Sequence, residues 1–156
     1  MKPVVFSGSF DPVTNGHLDL IKRARAVFGA VRIVVCSNVA KRYLFTPQER
    51  VRLVQEALQG EANITVDLCE GLLTDYLKAN RLTVIVRGLR HAHDWNHERT
   101  NAHYNKLFAP EVETVFLPAR TAFQYISSGA VKEALFYGAD VSTLVPPCVL
   151  KALEQK

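Results

Sequence analysis

The segment of the chain with the clearest chemical potential is a polar turn that follows a short apolar stretch, Ser7-Gly-Ser-Phe-Asp-Pro-Val-Thr-Asn-Gly-His17. It combines two glycines, three hydroxyl side chains and one histidine. Backbone amides at a helix start attract anions, and glycine lets a phosphate approach the main chain. The segment therefore predicts a phosphate site, although the two glycines alone are explained equally well as turns. It matches neither a P-loop nor a G-x-G-x-x-G fingerprint, which argues against P-loop kinases and dehydrogenases.

Two pairs of basic side chains follow two other apolar stretches. Arg87 and Arg90 stand three residues apart around a glycine, a spacing that suits two separate phosphates. Lys41 and Arg42 form the second pair. Taken alone, this second pair is better explained as solvated surface charge, because most lysines are exposed.

A histidine-rich segment after Arg90 raises the question of a metal site. His93 and His97 would share one helix face, as would Asp94 and Glu98, and His91 and His103 lie nearby. No strict zinc motif is present, so polar helix surface is the better explanation. The three cysteines (Cys36, Cys69 and Cys148) are widely spaced without a C-x-x-C pair, which predicts buried free thiols.

The elements that must position these residues alternate along the chain. Apolar runs predict five strands, over residues 3–7, 31–36, 63–68, 82–86 and 112–117. Helical periodicity, caps and breakers predict helices from about Leu18 to Phe28, over 47–58 and 72–79, up to Phe108, from Ser127 or Ser128 to Tyr137, and after Pro146. The helix at 47–58 has the most complete start signal, with Thr46 as N-cap, Pro47 in the first position and Glu49 completing a capping box.

This alternation predicts an α/β fold with a doubly wound, five-stranded parallel sheet and helices on both faces. We expect a single domain over 1–156. The candidate residues follow strands, and ligands of such sheets bind outside the carboxyl ends of the strands.

Composition limits the class of protein. The chain has 156 residues, 48% of them hydrophobic and 22% charged, with a formal net charge of +4, which argues against disorder. No apolar run approaches the ~18 residues of a membrane span, and the N-terminus does not resemble a signal peptide. We therefore expect a soluble, cytoplasmic protein. A pI near 9.1 permits nucleic acid or a phosphate-rich substrate as the partner.

Four motifs, in order, resemble the nucleotidylyltransferase superfamily and, within it, the phosphopantetheine adenylyltransferase branch. They are Gly8-Ser-Phe-Asp-Pro12 with Thr14-Asn-Gly-His17, Lys41 ahead of Phe45-Thr-Pro-Gln-Glu-Arg50, Arg87-Gly-Leu-Arg90, and Ile126-Ser-Ser-Gly-Ala-Val-Lys-Glu133. The resemblance covers essentially the whole chain. It departs from the usual pattern at Gly129, where a serine or threonine is common, and at positions 96–101.

The resemblance implies a Rossmann-like nucleotidylyltransferase fold and a cytoplasmic enzyme that transfers AMP from ATP to 4'-phosphopantetheine. The products would be dephospho-coenzyme A and pyrophosphate. Mg²⁺ would arrive on the ATP phosphates, with no metal site built by the protein. The resemblance also implies a homo-oligomer, specifically a hexamer, that acts on these small molecules without nucleic acid or membrane.

Residue roles follow from the same resemblance. It implies that His17 and Lys41 stabilise the pentacoordinate phosphorus, together with Arg90, and that Ser9 bridges the nucleophile and ATP. The implied ATP contacts are Gly8, Ser9, Phe10, His17, Arg90, Glu98, Tyr125, Ile126, Ser127 and Ser128. The implied phosphopantetheine contacts are Ser9, Lys41, Leu72, Leu73, Arg87 and Asn105.

Two alternatives remain open. One is transfer to another small molecule, nicotinamide mononucleotide or a polyol phosphate, which Thr14 disfavours because those branches usually have histidine there. The other is a non-catalytic nucleotide- or nucleic-acid-binding module that uses the basic pI. The sequence has no basic run and no aromatic-interleaved stripe to support the second.

Overall fold

The computed structural model describes residues 2–38 and 40–156 and is built around a parallel sheet of five strands. The strands are β1 (Val4–Gly8), β2 (Val31–Cys36), β3 (Ile64–Cys69), β4 (Val84–Leu89) and β5 (Glu113–Pro118). Their order is β3-β2-β1-β4-β5, and each neighbouring pair is parallel. The predicted doubly wound, five-stranded α/β fold is confirmed.

The described residues form six α-helices, which connect and follow the strands. They are α1 (Asn15–Phe28), α2 (Pro47–Ala57), α3 (Leu73–Ala79), α4 (Ala92–Phe108), α5 (Ser128–Phe136) and α6 (Pro147–Leu153), with a short 3₁₀ turn at Thr121–Phe123. The capping box of α2 forms as predicted, with Thr46 accepting from the Glu49 amide and Glu49 accepting from the Thr46 amide. No described helix is long and apolar enough to span a membrane.

Successive side chains of the central strands point to opposite faces of the sheet, and each face is covered by its own hydrophobic core. These strands are therefore apolar on both faces. Val4 and Phe6 of β1 pack in one core with buried residues of α1, α2, α5 and α6. Val5, between them, packs in the second core with Leu77 of α3 and Ile85 of β4. Helix α4 lies beside α3 and contacts β4 and β5.

The strand order reverses between β1 and β4, because the chain crosses from β3 at one edge of the sheet back to β4 beside β1. In open α/β sheets this reversal leaves a crevice at the carboxyl ends of the strands, where ligands bind. The candidate residues after β1, β2 and β4 therefore meet at one place.

The predicted end of the fourth strand, at Val86, was wrong. β4 continues to Leu89, so Arg87 lies within the strand and only Arg90 follows it. Apolar character ends at Val86, but backbone pairing with β5 continues as far as Leu89 opposite Pro118. Gly88 makes this extension compatible with the packing, since a Cβ there would lie 2.3 Å from Cδ1 of Leu20 in α1.

The cysteines are free thiols. Cys69 is buried, whereas Cys36 and Cys148 are only partly buried, so the prediction of full burial holds for one of the three. Cys36 and Cys69 are register partners at the ends of β2 and β3.

Candidate active site

A cavity of about 1260 Å³ opens at the carboxyl ends of β1, β2 and β4. Its lining includes nearly all the residues named from the sequence: Gly8, Ser9, Phe10, His17, Lys41, Leu72, Leu73, Arg87, Arg90, Glu98, Asn105, Ile126, Ser127 and Ser128. Tyr125 is outside the lining and is 80% exposed. The structure thus brings together residues spread from the first turn of the chain to the start of α5.

His17 is held in the first turn of α1 by a capping arrangement with Thr14. The Thr14 hydroxyl accepts a hydrogen bond from the His17 amide at 3.3 Å, and His17 Nδ1 accepts one from the Thr14 amide at 3.1 Å. Because Nδ1 is an acceptor, the ring proton of neutral His17 resides on Nε2. The Phe10 ring meets the imidazole edge-on, with 5.1 Å between centroids.

The charge state of His17 is set by its surroundings. Burial lowers its pKa to about 4, and the charges of Arg87 and Arg90 act in the same direction. His17 is therefore neutral at pH 7 before a ligand binds. It can offer a hydrogen bond from Nε2 but no positive charge.

Arg87 is oriented by a bidentate pair with Glu98 of α4. Its Nε and Nη2 donate to the two Glu98 oxygens, each at 2.7 Å, and Nη1 donates to the Ser7 carbonyl. Glu98 is 8% exposed and is the only buried residue of α4. Charge-assisted bidentate pairs of this kind fix a guanidinium plane as well as its position.

Arg90 forms a second pair with α4. Its Nε and Nη2 donate to the two Asp94 oxygens, each at 3.0 Å, and its backbone amide donates to the same carboxylate at 2.9 Å. Although burial acts to raise it, these hydrogen bonds and the Arg90 charge hold the pKa of Asp94 below its usual value. Two arginines at the end of β4 are thus each oriented by a carboxylate of α4.

The loop that carries Lys41 is attached to the β1 turn through Asp11. This buried carboxylate accepts hydrogen bonds from the backbone amides of Leu44 at 2.8 Å and Phe45 at 2.9 Å. Lys132 of α5 lies 3.3 Å from the same carboxylate. Lys41 itself is exposed at the cavity wall. Sequence reasoning missed Asp11 because an Asp-Pro pair also suits a simple turn.

Arg50 is the second residue that sequence reasoning missed. It is fully buried, and it donates to the carbonyl oxygens of Ser9 at 2.7 Å and Cys36 at 3.0 Å and to the Ser37 hydroxyl at 2.7 Å. Its signal was available, because Arg50 shares the inward face of α2 with Leu53 and Val54, where an apolar residue is expected.

The N-terminus of α5 forms the opposite wall. Ser127 caps the helix by accepting from the Ala130 amide at 3.0 Å, as predicted, and the Ser128 hydroxyl donates to the Pro12 carbonyl at 2.8 Å. Gly129 has no positive φ, and a Cβ there would meet only Ser127 Oγ, at 3.8 Å. The first-turn amides of α5 face the same cavity as the arginines, which favours anions there.

The remaining wall is apolar and belongs to α3 and α4. Leu72 is 62% exposed, and Tyr104 and Phe108 also present large apolar surfaces. Asn105 adds one amide group to this wall. Among the described residues no three His, Cys, Asp or Glu side chains are grouped to hold a metal ion. His97 lines the cavity, while His91 and His93 contact each other edge-on.

Comparisons with known proteins give the family of the chain. Residues 5–134 match the cytidylyltransferase-like family. The chain is similar to the phosphopantetheine adenylyltransferase of Alkaliphilus metalliredigens, with 44% identity over 156 residues that cover 100% of this chain and 99% of that protein. It is also similar to the enzymes of that name from Shouchella clausii, with 45% identity over 99% and 98% of the two chains, and Syntrophomonas wolfei, with 42% identity over 100% and 97%.

Proposed function

The chain belongs to the cytidylyltransferase-like family and, within it, to the phosphopantetheine adenylyltransferases, and we propose that it transfers the adenylyl group of ATP to 4'-phosphopantetheine. The products are dephospho-coenzyme A and pyrophosphate. The observation that carries the proposal is the presence of Arg87 and Arg90 in the lining of the cavity that also holds His17. One cavity with two oriented guanidinium groups suits a reaction between two phosphorylated substrates.

The reaction needs charge stabilisation more than proton transfer. An oxygen of the phosphopantetheine phosphate attacks the α-phosphorus of ATP, and the bond from that phosphorus to the β-phosphate bridging oxygen breaks. The attacking monoester is already largely dianionic near neutral pH, since its second pKa is about 6. No general base is required, and the side chains act by positioning both substrates and stabilising charge on the α-phosphoryl and leaving groups.

Four residues act at the reacting phosphates in this proposal. His17 donates from Nε2 to a non-bridging oxygen of the α-phosphate, and Lys41 adds a positive charge from the other side. Ser9 bridges the nucleophile and ATP at the turn after β1. Arg90 binds the ATP phosphates, which become the leaving pyrophosphate.

The two substrates then occupy different walls of the cavity. Arg87 binds the phosphate of phosphopantetheine, and Leu72, Leu73 and Asn105 contact its pantetheine arm. Gly8, Phe10 and the first turn of α5, from Ile126 to Ser128, contact ATP. Glu98 acts through its pair with Arg87, and the exposed Tyr125 would reach the nucleotide only from the rim.

Mg²⁺ fits this site as an ion carried by ATP. The three carboxylates of the cavity wall nearest the arginines and the β1 turn (Asp11, Asp94 and Glu98) are already engaged in ion pairs. Mg²⁺ usually keeps waters and substrate phosphate oxygens as ligands, so it needs no dedicated cage. When bound, it would neutralise part of the polyphosphate charge.

We also propose a cytoplasmic homo-oligomer, a hexamer as the family resemblance implies. Large apolar side chains are exposed on α4 and at the end of α5 (Leu107, Phe108, Phe136 and Tyr137). Surfaces of this kind mark contacts between proteins. Sedimentation equilibrium of the purified chain tests the assembly, and a monomer at micromolar concentration would contradict it.

The direct test is pyrophosphate release from ATP with a panel of acceptors. We expect release with 4'-phosphopantetheine and none with nicotinamide mononucleotide or glycerol 3-phosphate. Dephospho-coenzyme A should form in equal amount, which mass spectrometry measures. Turnover with either other acceptor in place of phosphopantetheine would replace the proposed substrate, and nucleotide or nucleic-acid binding without turnover would contradict enzymatic function.

A further inference from the structure

We infer that Arg50, which does not line the cavity, is a positioning residue for adenylyl transfer, and this inference rests on the proposed function. Among the described residues its side chain contacts Ser9, Cys36, Ser37 and Tyr43, and the Tyr43 ring centroid lies 4.2 Å from the guanidinium carbon. All four line the cavity. Arg50 therefore holds one wall of the active site from behind.

The contacts of Arg50 join two segments of the chain. Ser9 belongs to the turn after β1, whereas Cys36 ends β2 and Ser37 begins the loop that leads to Lys41. The far end of that loop is attached to the β1 turn by the hydrogen bonds from Leu44 and Phe45 to Asp11. The loop bearing Lys41 is thus attached at both ends to the turn bearing Ser9. Arg50 makes the attachment at the end nearer to the sheet, and Asp11 makes the one at the far end.

The charge of Arg50 is unusual for a purely structural residue. Its hydrogen-bond partners among the described residues are two carbonyl oxygens and one hydroxyl, none of them a carboxylate, and its Nε is buried without a partner. A buried cation without a counter-ion is costly, so such groups are normally paired. Phosphate groups bound on the other side of the Ser9 turn would supply the missing negative charge.

Arg50 also affects what its neighbours can offer a ligand. The Ser37 hydroxyl accepts from Arg50 Nη2, so its own proton remains available for a second partner on the cavity side. Hydrogen bonds from an ionised donor are stronger than neutral ones, which fixes this hydroxyl firmly. Ser37 is therefore added to the groups that can contact the substrates, with Arg50 as the residue that orients it.

The test compares three variants by kinetics and by binding. Arg50→Lys keeps the charge but cannot bridge Ser9, Cys36 and Ser37 together, because an ammonium lacks the planar fork of a guanidinium. Ser37→Ala removes one acceptor and leaves Arg50 in place. Arg52→Lys is the matched control, on the same helix but exposed and facing Glu56. The readouts are kcat, the KM of each substrate, the ATP dissociation constant by calorimetry and the melting temperature.

We expect Arg50→Lys to lower kcat about 10- to 100-fold, because displacements near 1 Å have effects of this size in active sites. The ATP dissociation constant should change by less than about threefold. Arg52→Lys should match the parent in kcat. A lower melting temperature with parent-like kcat would show that Arg50 is only structural and would overturn the inference. Weaker ATP binding with a parent-like kcat would also overturn it, because that pattern indicates loss of ground-state binding only.

Ser37→Ala keeps the inference testable if Arg50→Lys does not fold. Loss of one oriented hydroxyl should lower kcat about threefold to tenfold with little change in melting temperature, and parent-like kcat would overturn the inference. The parent enzyme separates the two claims. If the parent releases no pyrophosphate with phosphopantetheine, the proposed function fails and the inference falls with it, whereas an active parent with equally active variants refutes only the inference.

Discussion

Helices α1 and α4 both border the cavity, but they are attached to the molecule in different ways. Helix α1 buries Gly16, Leu20, Ile21 and Ala24 and begins with a complete capping arrangement around His17. Helix α4 is longer, with 17 residues, yet Glu98 is its only buried residue. Core packing fixes α1, while two ion pairs attach the first two turns of α4 to the end of β4.

The difference shows how the site divides its tasks. A transition state is stabilised best by groups that do not move when charge develops, and such groups belong on elements fixed by the core. The arginines that hold α4 are the same groups that we propose bind the phosphates. The same two guanidinium groups therefore bind the substrates and hold α4 in place.

The largest effect is expected where the rigid helix contributes to chemistry. His17→Ala should lower kcat by about 10² to 10³ with little change in ATP affinity, because the lost donor acts on charge that develops during transfer. Pyrophosphate release and calorimetry with ATP measure the two quantities. His103→Ala, an exposed substitution on α4, is the control and should retain the parent's kcat. Turnover by His17→Ala within a few-fold of the parent would contradict the assigned role.

The lowered pKa of His17, in the first turn of α1, predicts that the free energy of unfolding depends on pH. An unfolded histidine, with a pKa of about 6.5, binds a proton as the pH falls, while His17 in the folded protein stays neutral down to about pH 4. Stability should thus fall between about pH 6.5 and pH 4, by up to about 3 kcal/mol. Urea unfolding at pH 7.5 and pH 5 should show a smaller loss for His17→Gln than for the parent. An equal loss in both proteins would show that His17 is not held neutral.

The two arginines should separate the substrates. Arg90→Ala should weaken ATP, and Arg87→Ala should weaken phosphopantetheine, each by about one to two decades, the range for a charge-assisted contact of about 1.5 to 3 kcal/mol. Calorimetric titration of each variant with each substrate measures this. Both variants also release a carboxylate of α4, so amide exchange in α4 should rise in both. Equal weakening of both ligands by both variants would refute the division.

The smallest effect is expected at Gly129. Its backbone lacks a positive φ and the space around it is open, so Gly129→Ser should fold normally. The added hydroxyl should leave ATP affinity unchanged or raise it by up to about one decade, the net value of one hydrogen bond. A folded Gly129→Ser protein that binds ATP clearly more weakly would instead show that the phosphate approaches the backbone at this position.

Sequence patterns predicted the elements well because the strands and caps are determined locally. The five apolar runs each became a strand, and Thr46 and Ser127 became caps. What the patterns missed depends on contacts between distant segments. The extension of β4 to Leu89 depends on pairing with β5. The burial of Arg50 depends on the carbonyl groups of Ser9, just after β1, and Cys36, at the end of β2, which meet only in the folded sheet.

The site shows the same division. Nearly all the residues named from motifs line one cavity. No sequence pattern indicated that Arg87 and Arg90 would be paired with Glu98 and Asp94. Charged groups eleven and four residues apart in the chain meet because α4 runs back along the strand end. The role of Tyr125 stays a prediction, since its side chain lies outside the cavity wall.

Gly88 has a consequence for any attempt to exchange parts between this enzyme and its relatives. It lies between Arg87 and Arg90, and the space of its missing side chain is filled by Leu20 of α1, which is itself buried. A transplanted β4–α4 segment with a larger residue at this position would force the Leu20 side chain to move within the core that holds the helix carrying His17. The segment that carries Arg87 and Arg90 is therefore packed against α1 through this position, and a graft that keeps the glycine leaves the Leu20 packing unchanged.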